Sequence, residues 1–64
     1  MKFTKKNYKM MSVGQKVSDH YIGSRWIVIK ELSDGVILKN LAGGEDGVTI
    51  TVTPETCSME FESY

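Results

Sequence analysis

The segment that most constrains the fold of this chain runs from residue 25 to residue 41. It opens with the short run Arg-Trp-Ile-Val-Ile-Lys-Glu-Leu, passes through Ser33-Asp34-Gly35, and ends in a second apolar run. A β-branched and aromatic run bounded by turn residues predicts a strand. Asp-Gly between two such runs is the strongest short-range signal for a β-hairpin. The segment therefore predicts two antiparallel strands, 25–32 and 36–41.

The first of these strands carries apolar residues on both of its faces. Successive side chains of a strand point to opposite sides of the sheet. One face holds Trp26, Val28 and Leu32, and the other holds Ile27 and Ile29. Such a pattern predicts a strand covered on both sides, as at the centre of a small barrel.

Three further short strands are predicted, at 13–17, 48–53 and 58–62. Residues 48–53 alternate strictly between apolar residues and threonine, which is typical of a half-exposed strand. Thr53-Pro54-Glu55 is a capping signature with room for only one turn of 3₁₀ helix before the last strand. No amphipathic helical stretch occurs anywhere in the chain. We therefore expect an all-β fold of five short strands, closed into a barrel that covers most strand edges.

A resemblance supports this expectation. The stretch Val13-Gly14-Gln15-Lys16-Val17, followed by Gly23 and Trp26-Ile27-Val28, resembles the Gly-x-x-Val opening and following strand of KOW-, Tudor- and SH3-type modules. It covers residues 13–61 and implies a five-stranded SH3-like barrel with a short 3₁₀ turn before the last strand. The irregular loop 18–24 lacks the acidic cluster of peptide-binding SH3 domains, and the chain lacks both their paired tryptophan and the basic loop of KOW modules. Proline-peptide binding is therefore not implied.

The charges are strongly ordered along a chain whose net charge is zero. Residues 1–16 hold five lysines and no acid, whereas residues 40–64 hold five acids and no base. Either the two ends lie together in one sheet and their charges pair across strands, or the lysines form a basic arm for nucleic acid and the acids a face for a basic partner. We assign 1–12 as a basic arm or weak edge strand and 13–64 as the single barrel domain.

The length of the chain and its cysteine content limit the size of its core and indicate its cellular location. A chain of 64 residues buries only about 60% of the surface that its unfolded form exposes. Cys57 is the only cysteine, so no disulfide forms within the chain, and we expect it to be a small half-buried hydrophobe. A lone cysteine fits a reducing compartment. Apolar runs are too short to span a membrane, and no apolar segment follows the first lysines, so we expect a cytoplasmic protein.

Catalytic and metal-binding constellations are missing from the sequence. His20 and Cys57 are the single members of their types, and nothing points one toward the other as a nucleophile and base. They cannot form a structural zinc site without two further ligands. The glycine loop 42–47 lacks the Lys-Ser/Thr of a phosphate-binding loop. We therefore expect neither an enzyme nor a cofactor or metal.

With no catalytic or metal-binding pattern in the sequence, we expect the protein to function by binding. Small barrels present side chains from their first long loop and adjoining strands, which here means His20, Tyr21, Arg25 and Trp26. Trp26 is interpreted as barrel core, with an interface anchor as the alternative. We expect a protein-interaction module that acts on another protein or on itself, as many small phage and mobile-element proteins do. The alternative is nucleic-acid binding, with phosphate contacts from the N-terminal lysines and stacking by Tyr21 or Trp26. These lysines are Lys2, Lys5, Lys6 and Lys9.

Overall fold

The computed structural model describes all 64 residues and places six strands in one antiparallel sheet. The order across the sheet is β1-β6-β2-β3-β4-β5. No helix is long and apolar enough to cross a membrane. The strands are β1 Lys2–Phe3, β2 Lys16–Asp19, β3 Arg25–Glu31, β4 Val36–Asn40, β5 Thr49–Val52 and β6 Phe61–Ser63. Two 3₁₀ segments lie at Tyr8–Met10 and Leu41–Asp46.

The all-β prediction is confirmed, but the strand count and closure differ from expectation. The sixth strand is β1, which pairs antiparallel with β6 through Lys2↔Glu62 and Phe3↔Phe61. No pairing joins β1 to β5, so the sheet has two edges and is not a closed five-stranded barrel. A weak edge strand was one of the two alternatives for residues 1–12, but the sequence does not place it at Lys2–Phe3, because β1 is only two residues long and its pairing partner lies about 60 residues away.

The predicted hairpin forms between β3 and β4. The N–H of Leu32 donates to the carbonyl of Gly35 at 2.8 Å and closes the turn. Gly35 is required there because a Cβ atom at this position would overlap the carbonyl oxygen of Val52 in β5. The Asp-Gly pair therefore satisfies both the turn and the close approach of a third strand.

The prediction that β3 is covered on both faces is wrong for its second half. The pairing with β4 shifts between Val28 and Lys30, a β-bulge that leaves Ile29 without a partner. Trp26 and Val28 point into the core, whereas Ile27 is half-buried and Ile29 is 43% exposed. The outer face of the sheet, the side opposite the core, is therefore open to solvent.

The core draws on both ends of the chain. Residues 1–12 contribute three of the ten buried hydrophobic side chains: Phe3, Tyr8 and Met11. The Tyr8 hydroxyl donates to the carbonyl of Met59, and its ring meets Phe61 edge-on with centroids 6.2 Å apart. Burial, and then the neighbouring Cys57, raise the pKa of Tyr8. The N-terminal segment thus packs against the C-terminal strand through side chains as well as through β1.

The ends also carry the only ion pair in the structure. The ammonium of Lys2 lies 2.9 Å from the carboxylate of Glu60, and this contact raises the pKa of Lys2. Both side chains are about half exposed, so the pair contributes little to stability. Pairing of charges between the two ends, one of the two interpretations of the charge order, is therefore present in a single ion pair.

The predicted cap at Thr53 forms. The N–H of Thr56 donates to the Thr53 hydroxyl at 3.3 Å, and the N–H of Cys57 donates to the Thr53 carbonyl at 3.0 Å. Residues 54–56 form a hydrogen-bonded turn and not the predicted 3₁₀ helix; the two 3₁₀ segments lie elsewhere in the chain. Cys57 is half-buried and packs against the core, as expected.

Candidate interaction site around the Asp19 loop

The loop after β2 is organised by one buried carboxylate. We call residues 19–24 the Asp19 loop. Asp19 is only 4% exposed, and its Oδ1 accepts backbone N–H donors from Tyr21, Ile22 and Gly23 at 3.0, 2.7 and 3.1 Å. Its Oδ2 accepts the indole N–H of Trp26 at 3.1 Å. All four donors converge on the one carboxylate, which fixes the loop against the core.

The same contacts determine the charge state of Asp19. Burial by itself would raise the pKa of this carboxyl group, because desolvation disfavours the charged form. The hydrogen bonds from Trp26 and from the three loop amides outweigh burial and hold the pKa below its ordinary value of 3.8. Asp19 is therefore a fully satisfied anion at neutral pH, and its role is to position the loop.

We call the four hydrogen bonds to the Asp19 carboxylate the clamp. The clamped Asp19 loop presents two large side chains to solvent. Tyr21 is 82% exposed and Ile22 is 71% exposed. Gly23 follows with φ of +76°, a conformation that residues with a Cβ rarely adopt. The loop closes where the N–H of Asp19 donates to the carbonyl of Ser24 at 3.0 Å. An aromatic and an aliphatic side chain thus project from a backbone whose amides are already bonded.

A shallow groove runs beside this loop. Its walls are Gly23, Ser24 and Arg25 on one side and Asn40, Leu41 and Ala42 on the other. The guanidinium of Arg25 lies over the ring of Tyr64, 5.0 Å from its centroid. This contact is a cation–π interaction and holds the arginine against the sheet.

The structure separates the four binding residues predicted from sequence. His20, Tyr21 and Arg25 are exposed, whereas Trp26 is only 7% exposed and belongs to the core. The backbone N–H of His20 donates to the carbonyl of Glu60 at 3.0 Å, which ties the loop to the segment before β6. Trp26 therefore supports the site from below, and its ring face is not available for stacking.

The predicted phosphate-binding lysines also fall into two groups. Lys2 is engaged with Glu60, as described above. Lys5, Lys6 and Lys9 are exposed and form no ion pair. They lie on the segment between β1 and β2, which also forms the Tyr8–Met10 turn.

Sequence reasoning missed Asp19 and Ile22. The available signal was local: an aspartate that is followed by turn residues, with glycine four positions later, is the pattern of a side chain that caps its own loop. Burial of the carboxylate was not visible, because it depends on Trp26 folding back from the next strand. No group of three His, Cys, Asp or Glu side chains is placed to hold a metal ion.

Comparisons with known proteins give no relatives. No protein-family model, no curated protein and no solved structure matches the chain.

Proposed function

We propose that this protein is a non-enzymatic interaction module, with Tyr21 and Ile22 as its anchors for another protein or for a second copy. The observation that carries the proposal is their high exposure on a loop that Asp19 holds rigid. Exposed apolar side chains cost solubility, and two adjacent ones at a loop tip are typical of a binding surface. Tyrosine is also enriched among the residues that dominate interface energies.

The clamp supports the proposal energetically. A flexible loop loses conformational entropy when a partner orders it, and this loss weakens binding. The amides of Tyr21, Ile22 and Gly23 are bonded to Asp19 before any partner arrives. The loop therefore offers its anchors with little further ordering required.

The fold proposal is an SH3-like small barrel. The chain order of strand, long loop, three-strand meander, turn and final strand supports it, as does the position of β6 beside β2. β1 is an addition at the β6 edge. We also propose a cytoplasmic location, which the free thiol of Cys57 supports, and a phage or mobile-element origin, which rests on small size alone.

Nucleic-acid binding through the N-terminal lysines is the second candidate. The exposure of Lys5, Lys6 and Lys9 without acidic partners favours it. Tyr21 is free to stack on a base, whereas the burial of Trp26 removes it from that role.

The test compares the wild type with the double variant Tyr21→Ser/Ile22→Ser. A matched control is Val13→Ser/Val48→Ser, which removes two exposed apolar side chains elsewhere, 56% and 68% exposed. Each form is immobilised and exposed to lysate of the source cells, and retained proteins are identified by mass spectrometry. The affinity of the purified partner is then measured by calorimetry, and self-association by analytical ultracentrifugation.

Loss of two anchors should weaken binding at least about 30-fold, while the control keeps the wild-type affinity. The proposal is wrong if the wild type stays monomeric and retains no specific protein. It is also wrong if the control variant loses the partner and the anchor variant keeps it.

A further inference from the structure

The strand register gathers positive charge on the outer face of the sheet. One cross-strand row reads Lys16, Ile27, Lys39 and Thr49 from β2 to β5. The row above reads Lys2, Glu62, Ser18 and Arg25, and the row below reads Lys30, Ile37 and Thr51. Directly paired residues of an antiparallel sheet project from the same face. The paired strand positions of the outer face therefore carry five bases and one acid, Glu62, and the carboxylate of Glu60 reaches the face beside Lys2.

Four of these bases have no acidic partner. The only ion pair in the structure joins Lys2 to Glu60, so Lys16, Arg25, Lys30 and Lys39 are unpaired. Lys16, Arg25 and Lys30 are exposed, and Lys39 is half-buried by its neighbours. The charges are thus available to a ligand at little cost, because no ion pair must be broken, and the cation–π contact of Arg25 with Tyr64 can persist beside a bound base.

The acids that balance the net charge lie away from this face. Asp19 is buried. Glu31 stands opposite the core residue Val36 and accepts the N–H of Val13. Four others lie outside the strands, in turns and loops: Asp34, Glu45, Asp46 and Glu55. Glu60 is the exception, because its carboxylate reaches Lys2 at the β1–β6 edge of this face. The formal charge of zero therefore conceals a cationic face on the sheet.

We propose that this outer face binds single-stranded nucleic acid, with Lys16, Lys30 and Lys39 on phosphates and the Arg25–Tyr64 pair beside a base. This inference is independent of the proposed protein-binding site, because it uses neither Tyr21 nor Ile22. Electrostatic complementarity identifies the occupant: several unpaired cations on one face match a repeating anion.

The pattern between the charges favours a single strand over an acidic protein. Adjacent strands lie about 4.8 Å apart, so Lys16 and Lys39 project about 10 Å from each other with Ile27 between them. Flexible lysines at this spacing reach successive phosphates, and the intervening isoleucines and Tyr64 offer apolar surface to bases. Grooves that track a backbone with cations and stack bases on planar side chains are how sequence-tolerant single-strand binders work.

The test uses a fluorescein-labelled oligothymidylate about 16 nucleotides long, read by fluorescence anisotropy. The face variant is Lys16→Gln/Lys30→Gln/Lys39→Gln, and the control is Lys5→Gln/Lys6→Gln/Lys9→Gln. Both remove three positive charges, and both leave the two anchors and Arg25 intact. Circular dichroism verifies that each variant folds.

Three phosphate contacts predict that wild-type affinity falls about 20-fold between 50 and 200 mM salt. For the face variant, with no phosphate contact left, the same change in salt should leave affinity almost unchanged, and affinity at low salt should fall at least tenfold. The control should keep the wild-type salt dependence.

Three results would overturn the proposal. The first is absence of binding by the wild type at about 50 mM salt. The second is loss of binding in the control but not in the face variant, which would place the contacts on the N-terminal lysines. The third is displacement of the oligonucleotide by polyglutamate at equal charge, which would make the face a surface for acidic proteins.

Discussion

Two loops face each other across the groove, and each is capped by the side chain of an Asp or Asn at the end of a strand. In the Asp19 loop, a carboxylate that is 4% exposed accepts four N–H donors, one of them from the next strand. In the loop Leu41–Asp46, the half-buried amide of Asn40 accepts one N–H, from Ala42 at 2.8 Å. The two caps therefore differ in both the burial of the acceptor and the number of hydrogen bonds that it accepts.

The difference shows which properties of a cap make its loop rigid. A buried anion cannot exchange its protein donors for water, so loss of the loop geometry would leave it uncompensated. The Asn40 amide is neutral and reached by solvent, so water can replace its partner. We infer that the Asp19 loop is rigid enough to display anchors, and that the loop opposite can adjust to whatever enters the groove.

The substitution with the largest expected effect is Asp19→Ala. It leaves the indole N–H and the three loop amide N–H groups without their acceptor, and we expect a loss of about 3 kcal/mol in the free energy of unfolding. For a domain of this size, that corresponds to a fall of about 15 °C in melting temperature. Urea and thermal unfolding measure the change, with Asp46→Ala, which removes an exposed carboxylate, as control. Equal effects of the two substitutions would refute the clamp.

Acid should weaken the same clamp selectively. The folded-state pKa of Asp19 lies below its ordinary value of 3.8, so its stabilising contribution is complete above that value. The contribution is lost as the pH falls from 3.8 through the lower folded pKa. The stability advantage of the wild type over Asp19→Asn should therefore shrink across this window and stay constant above it. A pH series of urea unfolding curves measures it, and an advantage that does not change below 3.8 would contradict the assignment.

Trp26→Phe should have an intermediate effect. The ring keeps most of its packing, but one charge-assisted hydrogen bond to Asp19 is lost, which we expect to cost about 1.5 kcal/mol. In the Asp19→Ala background the same substitution should cost clearly less, because the acceptor is already gone. A double-mutant cycle measures this coupling. Strict additivity would show that the indole–carboxylate bond contributes nothing.

Asn40→Ala should have the smallest effect. It removes one bond at a solvent-accessible cap, and we expect a cost of about 0.5 kcal/mol, at the low end of the range for lost caps. Hydrogen exchange sharpens the contrast: the amides of Tyr21, Ile22 and Gly23 should be better protected than that of Ala42. The comparison fails if Ala42 is protected as strongly as the three clamped amides.

Local pattern predicted much of the sheet. The Asp-Gly hairpin, the alternation leading to Val52, the cap at Thr53 and the inward position of Phe61 all follow from interactions between near neighbours in sequence. Val48 is an exception, being 68% exposed just before β5 begins. The apolar pattern of β3 wrongly predicted a strand covered on both faces, because the bulge at Ile29 shifts the alternation partway along the strand.

The candidate site was only partly predictable. Tyr21 and Arg25 were expected to be available for binding, and both are exposed, whereas the organising residue Asp19 was overlooked. Its importance comes from Trp26, whose indole reaches it only after β2 and β3 have paired. The sequence alone does not distinguish an exposed polar loop residue from a buried hydrogen-bond acceptor, because the difference depends on that pairing.

The sequence by itself determined that the chain forms short strands with a hairpin at its centre, because period-two alternation and turn residues act over a few positions. Only the tertiary structure decided that Phe3, Tyr8 and Met11 complete the core. It also decided which lysines share a face, since that depends on strand order and register across the sheet. Both are consequences of non-local pairing, which brings residues together from opposite ends of the chain and leaves no periodic trace in the sequence.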